Sequence, residues 1–144
     1  MIYLGCDHGG FALKQAIIAH LQKQHIAFTD CGNVKYDSED NFPDFVKPVV
    51  KGVLSDANNR GILICGTGIG VSIAANHNRG IRAALVHDVD YARLARQHNN
   101  ANVLCLGGRF IDEPLALTVV DTFLSTPADP NPKDHQRMAA ACGE

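Results

Sequence analysis

The stretch Gly61-Ile62-Leu63-Ile64-Cys65-Gly66-Thr67-Gly68-Ile69-Gly70-Val71-Ser72-Ile73-Ala74-Ala75-Asn76 passes from a short apolar run through a glycine-rich turn into a segment whose Val71, Ala74 and Ala75 recur at helical spacing. The same change of period repeats on either side of it. Residues 2–6, 26–30, 61–65, 81–86 and 102–106 read as five strands. Leu13, Ile17 and Leu21 form one helical stripe, and Tyr91, Leu94 and Ala95 form another. Asp112, Glu113 and Pro114 open a helix that should run to Ser125, because proline at the first helical position forfeits no needed donor. Strands that alternate with helices take right-handed crossovers. The pattern therefore predicts a single-domain, Rossmann-like three-layer sandwich: a five-stranded parallel sheet with helices on both faces and ligands at the strand carboxyl ends.

Two segments fit less simply. Residues 42–55 look helical but contain Pro43 and Pro48; the first can open a helix, whereas the second removes an interior hydrogen bond at a cost of about 3 kcal/mol. A kink or a late start is expected there. Residues 126–133 are proline-rich and read as a linker to a short helix around residues 135–141. Residues 1–125 thus form the α/β domain, while 126–144 form a linker and C-terminal helix expected to pack on a partner subunit.

The chain has 144 residues, 46% of them hydrophobic, enough for one domain with its own core. Its formal net charge of −2 and the lack of any basic run argue against nucleic-acid or anionic-membrane partners, so an anionic ligand must be held locally. Five cysteines, an odd number without a Cys-x-x-Cys pair, argue against a disulfide framework or structural zinc. Met1 leads directly into the first strand without a basic flank or long apolar stretch, and the expectation is a soluble, cytoplasmic protein.

The turn at residues 66–70 carries the chemistry. Its glycines let consecutive N–H groups face one hollow, and the following helix N-terminus adds partial positive charge, so an oxyanion is welcome. Its glycine offsets match neither the phosphate-binding loop with its Lys and Ser/Thr nor the dinucleotide fingerprint, which makes nucleotide binding the weaker reading. Cys65 ends the strand just before the hollow, where the local field favours a thiolate, and a thiolate can act as a base. An isolated cysteine would more simply be a small buried hydrophobe; the glycine turn beside it decides for chemistry. Asp7 and His8 after the first strand, and Gly108 and Arg109 after the fifth, bring polar groups to the same sheet edge. His20, His25, His77 and His87 read as ordinary surface or core histidines. No two candidate ligands show recurring metal spacing, so no metal is expected.

Taken in order, Gly5-Cys6-Asp7-His8 with Gly10, then residues 64–76, then His98-Asn99 with Asn102-Val103-Leu104, then Gly107-Gly108-Arg109 resemble the ribose-5-phosphate isomerase B family along nearly the whole chain. The resemblance implies an aldose-ketose isomerase interconverting ribose 5-phosphate and ribulose 5-phosphate without a cofactor, through ring opening and a cis-enediolate. It implies that Cys65 is the carbon base, that the amides of Gly66, Gly68, Ile69 and Gly70 stabilise the enediolate with Ser72 beside them, and that Thr67 moves protons between sugar oxygens. His98 corresponds to the ring-opening histidine, Asp7 and Asn99 to residues that bind sugar hydroxyls, and His8 and Arg109 to phosphate contacts. It further implies a homodimer, or a tetramer, with sites shared between subunits.

The C-terminal segment departs from the family pattern of two arginines four apart with a histidine after the first: here stand Lys133, Asp134 and Arg137. Lys133 supplies charge but no bidentate fork, and an inward Asp134 would repel phosphate. A branch of the family uses a glutamate base further along the loop, but Ala74, Ala75 and Asn76 offer no carboxylate, leaving Cys65 as the candidate. Two alternatives stay open: an isomerase of a six-carbon sugar phosphate (allose or galactose 6-phosphate), decided by the loop at residues 33–41, and a non-catalytic phosphosugar-binding module.

Overall fold

Ile62 and Ile64 face one hydrophobic layer while Leu63 and Cys65 face another, and this two-residue alternation sets the architecture. A computed structural model describes residues 1–143. Its strands are β1 (Ile2–Cys6), β2 (Phe28–Asp30), β3 (Arg60–Cys65), β4 (Ala83–Leu85) and β5 (Val103–Gly107). Its helices are α1 (Phe11–Lys23), α2 (Phe42–Leu54), α3 (Ile69–Asn76), α4 (Val89–Gln97), α5 (Glu113–Ser125) and α6 (Pro132–Cys142). The strands form one parallel sheet in the order β2-β1-β3-β5-β4. Helices α1, α4 and α5 cover one face through Ile17, Ala92 and Phe123, and α2 and α3 cover the other through Val49 and Val71. The chain reverses direction across the sheet between β1 and β3, so the switch point, where sheets of this kind hold ligands, lies at the carboxyl ends of those two strands. No helix among the described residues is long and apolar enough to cross a membrane.

The expected sandwich is present, with local differences at β4, α2, β2 and α6; β4 covers only Ala83–Leu85 of the expected 81–86. Helix α2 starts at Phe42 and runs through Pro48 to Leu54, so the late start does not occur. Pro43 sits in its first turn, and Val46, Val49, Val50 and Val53 are all buried. Each contributes about 1.5–3 kcal/mol on burial, together outweighing the one hydrogen bond that Pro48 forgoes on the exposed side. β2 begins at Phe28 rather than Ile26, because the Ile26 amide donates back to the Leu21 carbonyl (2.9 Å) and closes the end of α1. Helix α6 begins at Pro132, capped by the Asn131 side chain, which accepts from the Lys133 amide at 3.0 Å.

Candidate active site

Three strand ends are stitched together at the carboxyl edge. The Asp7 amide donates to the Ile64 carbonyl (3.3 Å), that of Gly108 to Cys65 (2.8 Å) and that of Arg109 to Gly66 (3.1 Å). Asp7 caps a single 3-10 turn over His8–Gly10, accepting the Gly9 amide at 2.9 Å. The turn lies so close to the glycine loop that a methyl group on Gly9 would sit 2.8 Å from the Gly66 nitrogen, and one on Gly66 would sit 3.1 Å from the Arg109 guanidinium. Asp7, His8, Cys65, Gly66, Thr67 and Arg109 therefore share one edge, as the strand-end positions predict.

The glycine loop is shaped by Gly68, whose φ of +77° only glycine adopts without strain. That conformation turns the Gly68 amide onto the Cys65 sulfur, at 3.1 Å. The Thr67 hydroxyl accepts the Ile69 amide (3.2 Å), which leaves its own proton available outward, while the Ser72 hydroxyl donates to the Ile69 carbonyl (2.8 Å) inside α3. Thr67 is exposed; Cys65 is 5% exposed and packs against the layer under α2 and α3. The Phe42 ring closes over Gly70, 3.0 Å from where a methyl group would stand. Behind Cys65, burial and then the neighbouring Cys65 push the Cys105 thiol far above its ordinary range, so Cys105 is no base near neutrality.

His98 lies elsewhere. Helix α4 runs back across the sheet from the end of β4 to the start of β5, and His98, its C-cap, stands at the amino-terminal edge. β3 has six residues and crosses the sheet in about 20 Å, so Cys65 and His98 of one chain do not meet. His98 instead lines a cavity of about 240 Å³ with Arg82, Asn100, Asp134, His135 and Met138, under α6. Asn99 donates to the Met138 sulfur at 3.3 Å. Lys133 and Arg137 are exposed on α6, where Arg137 pairs with Asp134 at 2.9 Å, and none of the described side chains of α6 is buried. The candidate residues thus form two half-sets at opposite edges of the sheet.

Two neighbours of the first half-set escaped the sequence reading. Asp40, in the loop before α2, accepts both the His8 amide and His8 Nδ1 at 2.9 Å each; no periodicity marks a carboxylate in a polar loop. His87, after β4, places its Cε1 3.1 Å from where a methyl group on Gly107 would lie, on the flank of the glycine turn. Its place after a strand at the carboxyl edge was the available signal. Among the described residues no group of three or more His, Cys, Asp or Glu side chains is placed to hold a metal ion.

A doubly wound sheet with a thiol, a turn of peptide amides and a guanidinium at its switch point defines an α/β protein shaped for a small anionic substrate. Comparison with known proteins specifies which kind. The chain belongs to the ribose/galactose isomerase family, which matches residues 2–141. It is 44% identical over 137 residues to the ribose-5-phosphate isomerase B of Mycolicibacterium paratuberculosis, covering 95% of this chain and 86% of that one. The crystal structure of a ribose 5-phosphate isomerase from Thermotoga maritima superposes with a TM-score of 0.94 at 46% identity, covering 99% of this chain and 97% of that one. The ribose-5-phosphate isomerase B of Mycoplasma genitalium with bound ribulose-5-phosphate gives 0.93 at 39%, covering 99% and 93%.

Proposed function

We propose that the chain interconverts ribose 5-phosphate and ribulose 5-phosphate, with Cys65 as the carbon base. The observation that carries this reading is the Cys65 sulfur held at 3.1 Å by a glycine-loop amide, at the sheet edge that also bears Asp7, His8 and Arg109. The Cys65 thiolate takes the proton from C2 of the open-chain aldose. The C–H electron pair becomes the C1–C2 double bond, and the carbonyl pair moves onto O1. Loop amides aimed at that oxygen lower the barrier by about 3–4 kcal/mol per well-placed donor. Thr67 carries the O2 proton to O1, and return of the proton from sulfur to C1 leaves the carbonyl at C2. Asp7 binds sugar hydroxyls, and His8 and Arg109 hold the phosphate. A ligand-bound relative that holds ribulose-5-phosphate supports the choice of sugar.

The working unit in this reading is a homodimer, in which His98 of the partner subunit opens the furanose ring beside Cys65, Asn99 orients hydroxyls, and Lys133 and Arg137 complete the phosphate site. Its support is the separation of the two half-sets across the sheet, together with Ile69 and Ile73 on α3 and Tyr91 on α4, large apolar side chains left exposed. The compartment is the cytoplasm, where the five cysteines, all free in this structure, stay reduced.

Turnover of ribose 5-phosphate, set against galactose and allose 6-phosphates, tests the substrate. Cys65→Ala abolishes isomerisation and solvent-proton exchange while the melting curve is kept; near-normal turnover in this variant ends the assignment. Mixing inactive Cys65→Ala with inactive His98→Ala chains restores activity if sites are shared, because one site of each mixed dimer is then intact. Continued inactivity after verified subunit exchange rejects the shared site.

A further inference from the structure

We propose that Asp40 is a positioning residue: its carboxylate holds the His8 imidazole by Nδ1 so that Nε2 faces the substrate phosphate. The inference rests on the phosphosugar reading above and assigns a role to a residue outside the family resemblance.

The geometry is specific. One carboxylate oxygen, Oδ1, accepts both the main-chain amide and the ring Nδ1 of His8, each at 2.9 Å, across 32 residues of sequence. This double contact fixes the ring relative to its own backbone. The Asp40 side chain is 6% exposed and that of His8 28%, so the carboxylate lies beneath and the imidazole extends outward. An ionised carboxylate only accepts, which places a proton on Nδ1 and turns Nε2 outward, where it must carry a proton as well to donate to a phosphate oxygen; the carboxylate is the counter-charge that such an imidazolium needs. Tyr36 meets the ring edge-on, with centroids 6.4 Å apart and planes at 85°, and limits its tilt from another side.

The second oxygen separates this role from simple fastening of the loop. Asp40 Oδ2 is buried and has no hydrogen-bond partner among the described residues. An unsatisfied buried carboxylate oxygen is costly, and a neutral hydroxyl would tie the loop to the His8 amide without leaving a second oxygen unpaired. What a carboxylate adds is acceptor-only character toward the ring, and the ring belongs to the candidate phosphate contact.

The test is a double-mutant cycle on Asp40→Ala and His8→Ala in the full-length protein, with ribose 5-phosphate as substrate and ¹⁵N-histidine NMR as a second readout. Asp40→Ala should raise KM by roughly tenfold or more, the scale of one charge-assisted contact, and leave kcat within about twofold. In the His8→Ala background the same substitution should change KM by less than about twofold, because its effect acts through the ring. In the wild-type protein the His8 Nδ1 signal should be that of a protonated nitrogen, and in Asp40→Ala it should move toward a tautomer mixture. Equal KM losses in both backgrounds, or a wild-type Nδ1 without its proton, overturn the proposal. Should Asp40→Ala fail to fold, Asp40→Asn enters the same cycle, with smaller effects of the same sign expected. If the wild-type protein does not turn over ribose 5-phosphate, the functional reading fails, while the nitrogen signals still decide the Asp40–His8 relation.

Discussion

Replacing Gly68 by alanine measures how closely the glycine turn is built. The φ of +77° makes any side chain there adopt a left-handed conformation, at a cost of about 1–2 kcal/mol. The new methyl group would also stand 2.5 Å from a Leu85 methyl and 2.8 and 2.9 Å from the carbonyl carbon and oxygen of Leu106. Leu85 can rotate, but the Leu106 backbone lies inside β5 and cannot, so overpacking adds about 1–3 kcal/mol. The sum is about 2–5 kcal/mol, a fall in melting temperature of about 6–20 °C for a chain of this size. Gly80 provides the control: its φ is +86°, yet a methyl group there meets only a Leu54 side-chain carbon at 3.0 Å, so Gly80→Ala should lose little beyond the conformational cost. Thermal unfolding of both variants, with kcat for ribose 5-phosphate, separates the contributions. Gly68→Ala should also lower kcat by about tenfold or more, because the amide that meets the Cys65 sulfur is displaced. A Gly68→Ala protein that melts within about 2 °C of the parent and turns over normally refutes the argument that this turn must be glycine.

Alkaline pH should weaken the fold through Cys6. Burial, partly offset by Lys14, pushes this thiol up to about 11 from 9.0, so between those values the folded protein retains a proton that the unfolded chain releases. Stability is then full below pH 9 and declines as pH rises toward 11, by at most about 1.4 kcal/mol per pH unit from this group. Urea midpoints at several alkaline pH values should show that slope in the parent and a flatter one in Cys6→Ala; identical slopes contradict it. Asp134→Ala should release Arg137 from its partner at 2.9 Å and lower KM for the sugar phosphate by roughly two- to fivefold, the scale of an exposed pair. An unchanged or raised KM in steady-state assays would show that Arg137 does not serve the phosphate.

The strands were legible because their apolar runs are short and bounded, and β1, β3 and β5 fall within a residue or two of the expected ranges. Pro48 suggests a late start because local propensity counts one lost hydrogen bond, whereas the valine face of α2 holds the helix from Phe42 onward through tertiary burial. The meeting of Asp7, Cys65 and Arg109 could be read from strand ends, since a parallel sheet brings all its carboxyl ends to one edge. The same reasoning, carried through the direction of α4, places His98 at the far edge, a consequence that the family resemblance, read as a linear motif, does not expose. Asp40 was illegible because its partner lies 32 residues away and no sequence period links them.

Lys14, with no exposed surface, stands at the root of the segment that precedes α2: it reaches Asp30 at 2.5 Å and the Asn33 carbonyl at 2.7 Å. Further out, Val34 and Tyr36 are open to solvent. Anchorage and exposure are thereby kept apart along one stretch of backbone. A substitution at the tip would alter the ring edge that meets His8 while the moorings beneath stay untouched, and the sheet would need no rebuilding.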